Sequence, residues 1–347
     1  MRAPRFWWEK PGAAAALLRP FAAVYGAVAA ARLSGQGAEC ARPVICVGNP
    51  TLGGAGKTPT ALAIAEILRA AGERPAFLTR GYGGALKGPL RVTPQHTAHE
   101  VGDEARLLAR AAPTIVARER VAGAALAAED ASVIVMDDGF QNPALAKDLA
   151  ILVVDGRRGL GNGRVFPAGP MRAPLDAQLD RAQAVLIVGT VTGAAPVVIA
   201  ARARRLPLFH ATLKPDPDTI AALRGQSVLA FAGIGDPDKF FATLEAAGIA
   251  VAVRRGYPDH HRFGRAEAAA LIAEAEAGNL RLVTTEKDLA RCEGDPDCAE
   301  LAARALALPV RLVVEEADAF RALVLETVAR RRSQRPEVRA PGRDGGA

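Results

Sequence analysis

Short runs of apolar, often β-branched residues alternate along the chain with longer stretches of helical periodicity. In the first half these runs are 44–47, 75–79, 114–117, 132–136, 149–155 and 185–188. Strands that are buried on both faces read as continuous apolar runs, and strands separated by helices pair in parallel. The pattern therefore predicts an α/β fold built on a parallel sheet.

The alternation changes near residue 184 and restarts at 228–234. We predict strands at 197–201 and 208–213, and after the restart at 250–254 and 281–284. Helices are predicted at 237–247, 265–277 and 317–332. The economical account is four segments: an N-terminal helix (1–33), a core domain (34–189), a second α/β domain that completes a cleft (190–332) and a disordered tail (333–347).

The N-terminal segment combines tryptophans and basic residues with an Ala/Leu-rich run that Arg19 and Pro20 interrupt. A membrane-spanning helix needs about 20 uninterrupted apolar residues, which this run does not provide. Trp7 and Trp8 beside basic side chains favour an amphipathic helix lying on an anionic membrane surface. A cleaved signal peptide and an ordinary helix docked on the core remain alternatives.

The stretch from 44 to 60 predicts a strand, a glycine-rich loop and a helix that begins at Lys57 and Thr58. Glycines let backbone N–H groups converge on phosphate oxygens, and the helix N-terminus adds its positive dipole end. The lysine supplies charge to the β/γ-phosphates, and the threonine hydroxyl can ligate Mg²⁺. The usual pattern has a glycine where Thr51 stands. The residues expected to hold nucleotide phosphates are Gly53, Gly54, Ala55, Gly56, Lys57 and Thr58.

Carboxylates follow one apolar run directly, at Asp137 and Asp138. An Asp-Asp-Gly sequence alone is often a turn, but about 80 residues after Gly-Lys-Thr it indicates a metal site opposite the loop. Asp103 begins another predicted helix, where an acidic residue is an ordinary N-terminal feature. His260 and His261 follow a predicted strand; such a pair can serve proton transfer or can simply lie on the surface.

Amino-acid composition excludes few of the functions that these motifs allow. The 347 residues are 50% hydrophobic and carry a net charge of +7, which suits a globular protein with an anionic partner but does not identify that partner. The four cysteines show neither a disulfide framework nor a metal-ligand spacing, which favours a reducing compartment. Hydrolase, switch protein and small-molecule kinase all remain possible from the residues alone.

Taken in order, eight motifs make the chain resemble the tetraacyldisaccharide 4'-kinase family, the lipid A kinases of Gram-negative bacteria. They are Val-Gly-Asn-Pro-Thr-Leu-Gly-Gly-Ala-Gly-Lys-Thr-Pro (47–59), Arg-Gly-Tyr-Gly-Gly (80–84), Gly-Asp-Glu (102–104), Asp-Asp-Gly-Phe-Gln (137–141), Gly-Asn-Gly-Arg with Pro-Ala-Gly-Pro-Met-Arg (161–172), Ala-Gly-Ile-Gly-Asp-Pro (232–237), Asp-His (259–260) and Thr-Glu-Lys-Asp (285–288). The resemblance extends over nearly the whole chain.

The resemblance implies a P-loop NTPase-like parallel-sheet core with a second, smaller α/β domain. It implies transfer of the γ-phosphate of ATP, with Mg²⁺, to the 4'-hydroxyl of an acylated glucosamine disaccharide 1-phosphate. The expected place is the cytoplasmic face of the bacterial inner membrane, as a peripheral or monotopic protein. The roles that it implies are a catalytic Asp103–His260 dyad assisted by Lys57, a metal site of Thr58, Asp137 and Asp138, and phosphate contacts from Arg120 and Arg172.

Two positions depart from the family pattern. Ala173 stands where a glutamate usually follows the arginine, and Asn142 stands where a histidine usually follows Asp-Asp-Gly-Phe-Gln. The roles of that glutamate and that histidine therefore cannot be transferred to Ala173 and Asn142. Neither a nucleic acid nor an obligate protein partner is expected. The alternative from another functional class is a P-loop switch or assembly ATPase that lacks a small-molecule acceptor.

Overall fold

The structure, a computed structural model, describes residues 4–334. The predicted tail begins at 333, but Ser333 still belongs to the last helix, and the rest of that prediction from 335 onward lies outside the described residues. The strands are β1 Val44–Gly48, β2 Pro75–Thr79, β3 Leu90–Arg91, β4 Thr114–Val116, β5 Val133–Asp137, β6 Leu149–Asp155, β7 Ala184–Val188, β8 Leu208–Pro215, β9 Ser227–Ala232, β10 Ala250–Gly256, β11 Arg281–Thr285, β12 Leu306–Leu308 and β13 Val310–Val314.

Helices connect most of these strands, and a 3-10 turn at Arg5–Trp7 precedes them. The helices are α1 Ala13–Leu17, α2 Arg19–Leu33, α3 Lys57–Ala70, α4 Ala98–Val101, α5 Asp103–Ala109, α6 Arg120–Ala128, α7 Leu175–Leu179, α8 Ala195–Ala203, α9 Pro217–Leu223, α10 Pro237–Ala246, α11 Arg265–Ala277, α12 Glu286–Cys292, α13 Ala299–Arg304 and α14 Ala317–Ser333.

The larger sheet has nine strands in the order β13-β8-β7-β6-β1-β5-β2-β4-β3, and only the edge strands β13 and β3 pair antiparallel. The predicted α/β class with a mostly parallel sheet is thereby confirmed. The order in which strands are added changes direction at β1, which lies between β5 and β6. Strands β2 to β5 lie on one side of β1, and strands β6 to β8 lie on the other. In open α/β sheets, ligands bind beyond the carboxyl ends of the strands at such a reversal.

The smaller sheet contains four parallel strands in the order β10-β9-β11-β12. The two sheets do not divide the chain at residue 190 as the sequence predicted, because β8 and β13 belong to the larger sheet and α14 packs against it. Strand β8 pairs parallel with β7, and β13 returns antiparallel beside β8. We therefore propose that the second unit consists of the chain between Ser227 and Leu308, inserted into the larger one.

One predicted strand is wrong. Residues 197–201 belong to α8, a helix that begins at Ala195 with Pro196 in its first turn. Three consecutive β-branched residues (197–199) made this run resemble a strand, but Val197 and Ala201 are four residues apart and pack on one face against the large sheet. The segment therefore forms a helix that buries one apolar face, although its residues have high β propensity.

Helix α3 shows why the loop after β1 is firmly placed. Its apolar side chains recur at helical spacing, so that Ala61, Ile64, Ala65 and Leu68 are completely buried against the sheet. Strand β5 lies beside β1 in a register that sets Asp137 opposite Val47. The sheet therefore delivers the start of α3 and the carboxyl end of β5 to the same place.

Helix α2 lies on the core by one face only. Ala22, Gly26 and Leu33 are buried, and a Cβ added at Gly26 would lie 3.6 Å from the ring of Pro174. On the opposite side of the helix, large apolar side chains are exposed to solvent: Phe21 is 67% exposed and Val24 is 68% exposed. A helix attached to a protein in this way presents a free apolar surface to its surroundings.

Close backbone approaches fix the segment that carries Asp103. Gly102 has φ +90° and ψ 149°, a conformation that is essentially restricted to glycine. A Cβ on Gly102 would lie 2.5 Å from the carbonyl oxygen of Tyr82. On the same loop, a Cβ on Gly84 would lie 2.7 Å from the carbonyl oxygen of Glu100. The Arg-Gly-Tyr-Gly-Gly loop is therefore packed directly against the start of α5.

We expect Gly102→Ala to destabilise the protein more than Gly72→Ala. Both glycines have positive φ, but a Cβ at Gly72 would meet nothing within 4 Å. The left-handed conformation alone should cost Gly72→Ala about 1–2 kcal/mol. Relief of the steric clash should cost Gly102→Ala about 1–3 kcal/mol more. Thermal unfolding of both variants measures the difference, and equal melting temperatures would refute the proposed close packing.

Candidate functional site

The glycine-rich loop between β1 and α3 has the backbone conformation that its sequence requires. Gly53 has φ +108° and Gly56 has φ +93°, whereas Gly54 and the buried Ala55 fill the turn between them. A Cβ at Gly53 or Gly54 would meet no atom within 4 Å, so this side of the loop is open to a ligand. The loop thus offers backbone N–H groups beside a helix N-terminus, the arrangement that binds phosphate.

Lys57 extends back over this loop. Its Nζ donates hydrogen bonds to Oδ1 of Asn49 at 3.1 Å and to the carbonyl oxygen of Gly53 at 3.4 Å. The same nitrogen lies 3.8 Å from Oδ1 of Asp138. The ammonium is therefore held by neutral acceptors within reach of a carboxylate, in a position where it can neutralise an anion bound at the loop.

Thr58 and Asp137 meet at the carboxyl end of the sheet. The hydroxyl of Thr58 donates to Oδ2 of Asp137 at 3.1 Å, and Oδ1 of Asp137 is buried without a hydrogen-bond partner. Burial raises the pKa of Asp137, and repulsion by Glu104 adds to the effect. A buried carboxylate oxygen without a partner is a costly feature that a bound cation would relieve.

Asp138 follows with a left-handed backbone at φ +52°, so that its side chain turns toward the loop. Arg172 donates from Nη2 to Oδ2 of Asp138 at 3.2 Å and from Nε to the carbonyl oxygen of Thr51 at 3.1 Å. Burial opposes ionisation of Asp138, yet the charges of Lys57 and Arg172 hold its pKa below the ordinary value. Asp138 is therefore a carboxylate that stays charged.

The residues present fit a magnesium ion. Oδ1 of Asp138, like Oδ1 of Asp137, is buried without a hydrogen-bond partner, and the Thr58 hydroxyl is adjacent to Asp137. Within residues 4–334 no group of three or more His, Cys, Asp and Glu side chains is arranged to hold a metal ion. Mg²⁺ is commonly bound by one or two carboxylates together with substrate phosphates and water, which is what this pair of carboxylates could support.

Asp103 and His260 come together although 157 residues separate them. Nδ1 of His260 lies 3.1 Å from Oδ2 of Asp103, while Oδ1 accepts the backbone N–H of Glu104 at 2.9 Å. Burial alone would raise the pKa of Asp103, but the hydrogen bond with His260 and nearby positive charges hold it well below the ordinary range. His260 itself has φ +56°, an uncommon backbone conformation of the kind that occurs at functional sites.

The choice between the two histidines has a geometric answer. His261 turns away from Asp103, and its Nε2 lies 2.8 Å from Oε2 of Glu267. Its ring stacks on Tyr257 with 4.7 Å between ring centroids. For His260, burial opposes protonation, but the hydrogen bond to Asp103 and the negative charges nearby together outweigh burial and raise its pKa. His260 is therefore the histidine that belongs to the cluster around Asp103.

Arg291 is a member of this cluster that the sequence reasoning missed. Its Nη2 donates to Oδ2 of Asp103 at 2.5 Å, and its Nη1 donates to Oδ1 of Asp288 at 2.6 Å. Asp288 is completely buried and also accepts the backbone N–H of Gly233 at 3.1 Å. The guanidinium is thus fixed between two carboxylates, with Asp103 on the larger sheet's side and Asp288 in the unit that carries the smaller sheet.

A second ion pair lies beside the first. Nζ of Lys287 is 2.7 Å from Oε1 of Glu104. Burial opposes protonation of Lys287, but Glu104 and Asp103 raise its pKa. Lys287 and Arg291 are four residues apart on α12, so they share one helix face. That spacing was visible in the sequence, where 285–288 served only as one of the family motifs. Thr285 also caps the helix, because its Oγ1 accepts the N–H of Asp288.

Arg120 and Arg172 occupy different surroundings. Arg172 contacts both the loop and Asp138, as described above. Arg120 is 2% exposed at the start of α6, where its Nη1 donates to the carbonyl oxygen of Ala117 at 2.7 Å. Its buried Nε has no partner among the described residues, and its pKa is lowered by burial. The structure therefore brings Arg172 to the loop, whereas the hydrogen bond of Arg120 goes to its own turn.

Comparison with known proteins gives a consistent picture. The family model described as Tetraacyldisaccharide-1-P 4'-kinase matches residues 14–329. Two similar relatives carry the name tetraacyldisaccharide 4'-kinase. One, from Rhodopseudomonas palustris strain BisB5, is 53% identical over 96% of this chain and 99% of its own. The other, from Methylobacterium sp. strain 4-46, is 57% identical over 92% of this chain and 95% of its own.

A solved structure is similar as well. It is the crystal structure of LpxK from Aquifex aeolicus in complex with ATP, which is 25% identical and superposes with a TM-score of 0.69. The similarity covers 90% of this chain and 99% of that one. The family match and the two relatives each extend over nearly all of the sequence. The chain belongs to the tetraacyldisaccharide-1-P 4'-kinase family.

Proposed function

We propose that this protein transfers the γ-phosphate of ATP to the 4'-hydroxyl of a tetraacyldisaccharide 1-phosphate in lipid A biosynthesis. Family membership supports the reaction, and the ATP complex of the similar solved structure supports the donor. The observation in this chain that carries the proposal is the arrangement of two carboxylate sites. The Asp137–Asp138 pair adjoins a phosphate-type loop. The Asp103 cluster lies within electrostatic range of that pair, because the charges of Glu104 and Lys287, which pair with each other, both act on Asp137.

In this proposal the loop and its basic residues bind the nucleotide. Backbone N–H groups of residues 53–58 surround the phosphates in a P-loop core, and Lys57 neutralises charge on the β/γ-phosphates. Arg172 is already fixed by Thr51 and Asp138, so its remaining guanidinium N–H groups can donate to the γ-phosphate without further ordering. We assign Arg120 to support of the phosphate region, since its charge is attracted by Asp137 and Asp138.

Thr58, Asp137 and Asp138 would hold Mg²⁺. The ion, when bound, neutralises the charge that develops on the transferring phosphoryl group. The chain's own contribution is to keep Asp138 ionised through Lys57 and Arg172 and to direct the Asp137 carboxylate with the Thr58 hydroxyl. Because both free Oδ1 atoms are buried, water competes poorly for them and a bound cation would interact strongly.

Asp103 is the group proposed to accept a hydrogen bond from the acceptor hydroxyl. Its pKa lies well below the ordinary range, which makes it a weak base. Oδ2 already accepts from His260 and Arg291, so the carboxylate is held in a single orientation. We therefore propose that Asp103 acts mainly by positioning and polarising the hydroxyl, while His260 and Arg291 fix the carboxylate.

The exposed face of the N-terminal helices supports association with the cytoplasmic face of the inner membrane. Leu17, Phe21, Val24 and Val28 recur at helical spacing on one side, and each is more than half exposed. Among residues 4–334, none of the helices has the length and apolarity that a membrane span requires. We propose that this face lies in the interfacial region of the bilayer, where the acylated acceptor resides.

The proposed reaction and the role of Asp103 can be tested together. Purified protein with Mg·ATP should add one phosphate to a tetraacyldisaccharide 1-phosphate, and Asp103→Asn should lower kcat by about 10²-fold or more with little change in the KM for ATP. Mass spectrometry of the lipid product and steady-state kinetics are the measurements. ATP turnover that proceeds equally well without the acceptor would favour the switch or assembly ATPase instead.

The two histidines supply a matched control for this experiment. We expect His260→Ala to lower kcat strongly, because Asp103 loses a hydrogen-bond partner. His261→Ala should keep kcat within a few-fold, since His261 pairs with Glu267. Equal losses in the two variants would exclude a specific Asp103–His260 dyad.

Removal of the Arg291 guanidinium should alter the pH dependence of the reaction. Arg291 contributes to the low pKa of Asp103, so Arg291→Met should raise that pKa and move the acidic limb of the kcat profile to higher pH. Arg262→Met is the control, because Arg262 also reaches across the cleft, to the carbonyl oxygen of Gly83, but forms no ion pair with any carboxylate of residues 4–334. A lower kcat with an unmoved acidic limb would show that Arg291 serves stability alone.

The membrane-facing surface can be tested by polar substitution. The triple variant Leu17→Gln, Phe21→Gln and Val24→Gln should reduce sedimentation with anionic phospholipid vesicles by about tenfold or more, because each large apolar side chain gains roughly 1.5–3 kcal/mol on full burial. The matched control replaces Val191, Ile199 and Val313, which are exposed apolar side chains elsewhere. Equal vesicle binding by the two triple variants would contradict the proposed orientation.

A further inference from the structure

Two of the four cysteines lie together where α12 ends. Cys292 is the last residue of that helix, and Cys298 immediately precedes α13. Both side chains are 2% exposed, and both belong to the apolar cluster that β9, α11 and α13 form in the unit with the smaller sheet. The pair is therefore a feature of the folded core that the proposed phosphoryl transfer does not use.

The two thiols meet across a tight turn. They form a hydrogen bond with each other, and Sγ of Cys298 also lies 3.8 Å from the carbonyl oxygen of Cys292. Two backbone hydrogen bonds of 3.2 Å hold the turn: the N–H of Asp295 donates to the carbonyl oxygen of Cys292, and the N–H of Cys298 donates to that of Asp295. Two cysteines form a disulfide only where the chain already brings their side chains together, as this turn does.

The hydrogen bond makes the two thiols chemically unequal. It lowers the pKa of Cys298 and raises the pKa of Cys292, where burial adds to the effect. The thiolate is the form of cysteine that reacts with oxidants, so Cys298 is the sulfur that reacts first. The neighbouring residues Asp297 and Ala299 are exposed, so a small oxidant reaches Cys298 when the turn opens locally.

Cys292 lies between two side chains that contact α5. Nη2 of Arg291 donates to Oδ2 of Asp103 at 2.5 Å, and Oε2 of Glu293 accepts from Nη2 of Arg110 at 2.6 Å. Both contacts join the unit with the smaller sheet to a helix packed on the larger sheet. A movement of the Cys292 backbone is therefore transmitted to the carboxylate that we propose to polarise the acceptor hydroxyl.

We propose that Cys292 and Cys298 are a site of reversible oxidation by hydrogen peroxide, where a disulfide shifts the end of α12 and weakens the contact of Arg291 with Asp103. The disulfide closes a ring of seven residues. Because Asp288 anchors the start of α12 by accepting the N–H of Gly233, the end of the helix at Cys292 is the part that moves when the sulfurs bond.

The oxidation is balanced with hydrogen peroxide as its only co-reactant. The Cys298 thiolate attacks one peroxide oxygen, the O–O bond breaks, and hydroxide leaves while Cys298 becomes a sulfenic acid. Hydroxide takes up the proton that the Cys298 thiol lost and becomes water. The sulfur of Cys292 then attacks the sulfenic sulfur, and its proton leaves with the hydroxyl group as a second water. Two thiols are oxidised to one disulfide, and one peroxide is reduced to two waters.

The disulfide is tested by mass spectrometry. Purified protein is treated with hydrogen peroxide, its remaining thiols are alkylated in denaturant, and trypsin releases both cysteines in the single peptide 292–304. That peptide should lose two hydrogens and carry no alkyl group, and dithiothreitol should restore both alkylation sites. Cys40 and Cys46 share the peptide 33–57 and are the internal control. Both should remain alkylated, because burial raises the pKa of Cys46 to about 11 and leaves little thiolate.

The effect on activity, which rests on the proposed kinase function, is measured on the same samples. Oxidised wild type should lose about tenfold in kcat with an unchanged KM for ATP, because a charge-assisted hydrogen bond to Asp103 is weakened. The acidic limb of its kcat profile should move to higher pH, as in Arg291→Met, and dithiothreitol should reverse both changes. A general loss of stability would lower kcat without moving that limb.

Two cysteine variants assign the effect to this pair. Cys298→Ser should keep the wild-type kcat before and after peroxide, and it should fold normally because Cys298 is the N-cap of α13, where serine is preferred. Cys298→Ala, which lacks the hydroxyl, should give the same result. Cys40→Ser replaces another buried cysteine and should remain as sensitive to peroxide as the wild type.

The possible results separate this site from the kinase proposal. Complete alkylation of peptide 292–304 after peroxide would overturn the disulfide. Inactivation that Cys298→Ser shares with the wild type would overturn the assignment of the activity loss to this pair. A disulfide that leaves kcat and its acidic limb unchanged would overturn the connection to Asp103. If untreated wild type fails to phosphorylate the acceptor, the proposed function fails, whereas the peptide masses still decide whether the disulfide forms.

Discussion

The burial of the Asp103 carboxylate is the constraint on which the candidate site depends. A carboxylate that is 3% exposed is stable only when positive or hydrogen-bonding groups surround it. Two of those groups, His260 and Arg291, come from the unit that carries the smaller sheet, and Asp288 fixes Arg291 in turn. The site is therefore assembled only where the two units meet, and separation of the units would leave Asp103 buried without its partners or exposed to water.

The other half of the site belongs to the larger sheet alone. The register of β1 and β5 places Asp137 beside Val47, and helix α3 starts from the loop that follows β1. Parallel pairing brings their carboxyl ends to one edge, which is why Thr58 reaches Asp137 without any contribution from the smaller sheet. The proposed nucleotide site lies on one unit, and the proposed acceptor-activating group is completed by the other, a division that suits a two-substrate transferase.

The N-terminal helices combine a packed face with an exposed apolar face. Helix α2 is packed on the core through Gly26 and Leu33, and it presents Phe21 and Val24 on the opposite side. The exposed side is the surface that we propose to lie in the membrane interface. Packing through a glycine brings the helix close to the core while the large apolar side chains stay on its outer side.

The sequence by itself determined the α/β class, six strands of the larger sheet, the loop from Gly53 to Thr58, the acidic end of β5 and the family resemblance, because each depends on local spacing and residue type. It could not determine that 197–201 is helical or that β8 and β13 join the larger sheet, because those outcomes depend on which faces are buried. Tertiary structure alone brought Arg291 to Asp103. It also gave a geometric reason for His260, which the resemblance had implied, because His260 meets Asp103 while His261 pairs with Glu267. Contacts between residues more than 150 positions apart leave no periodic signal in the chain.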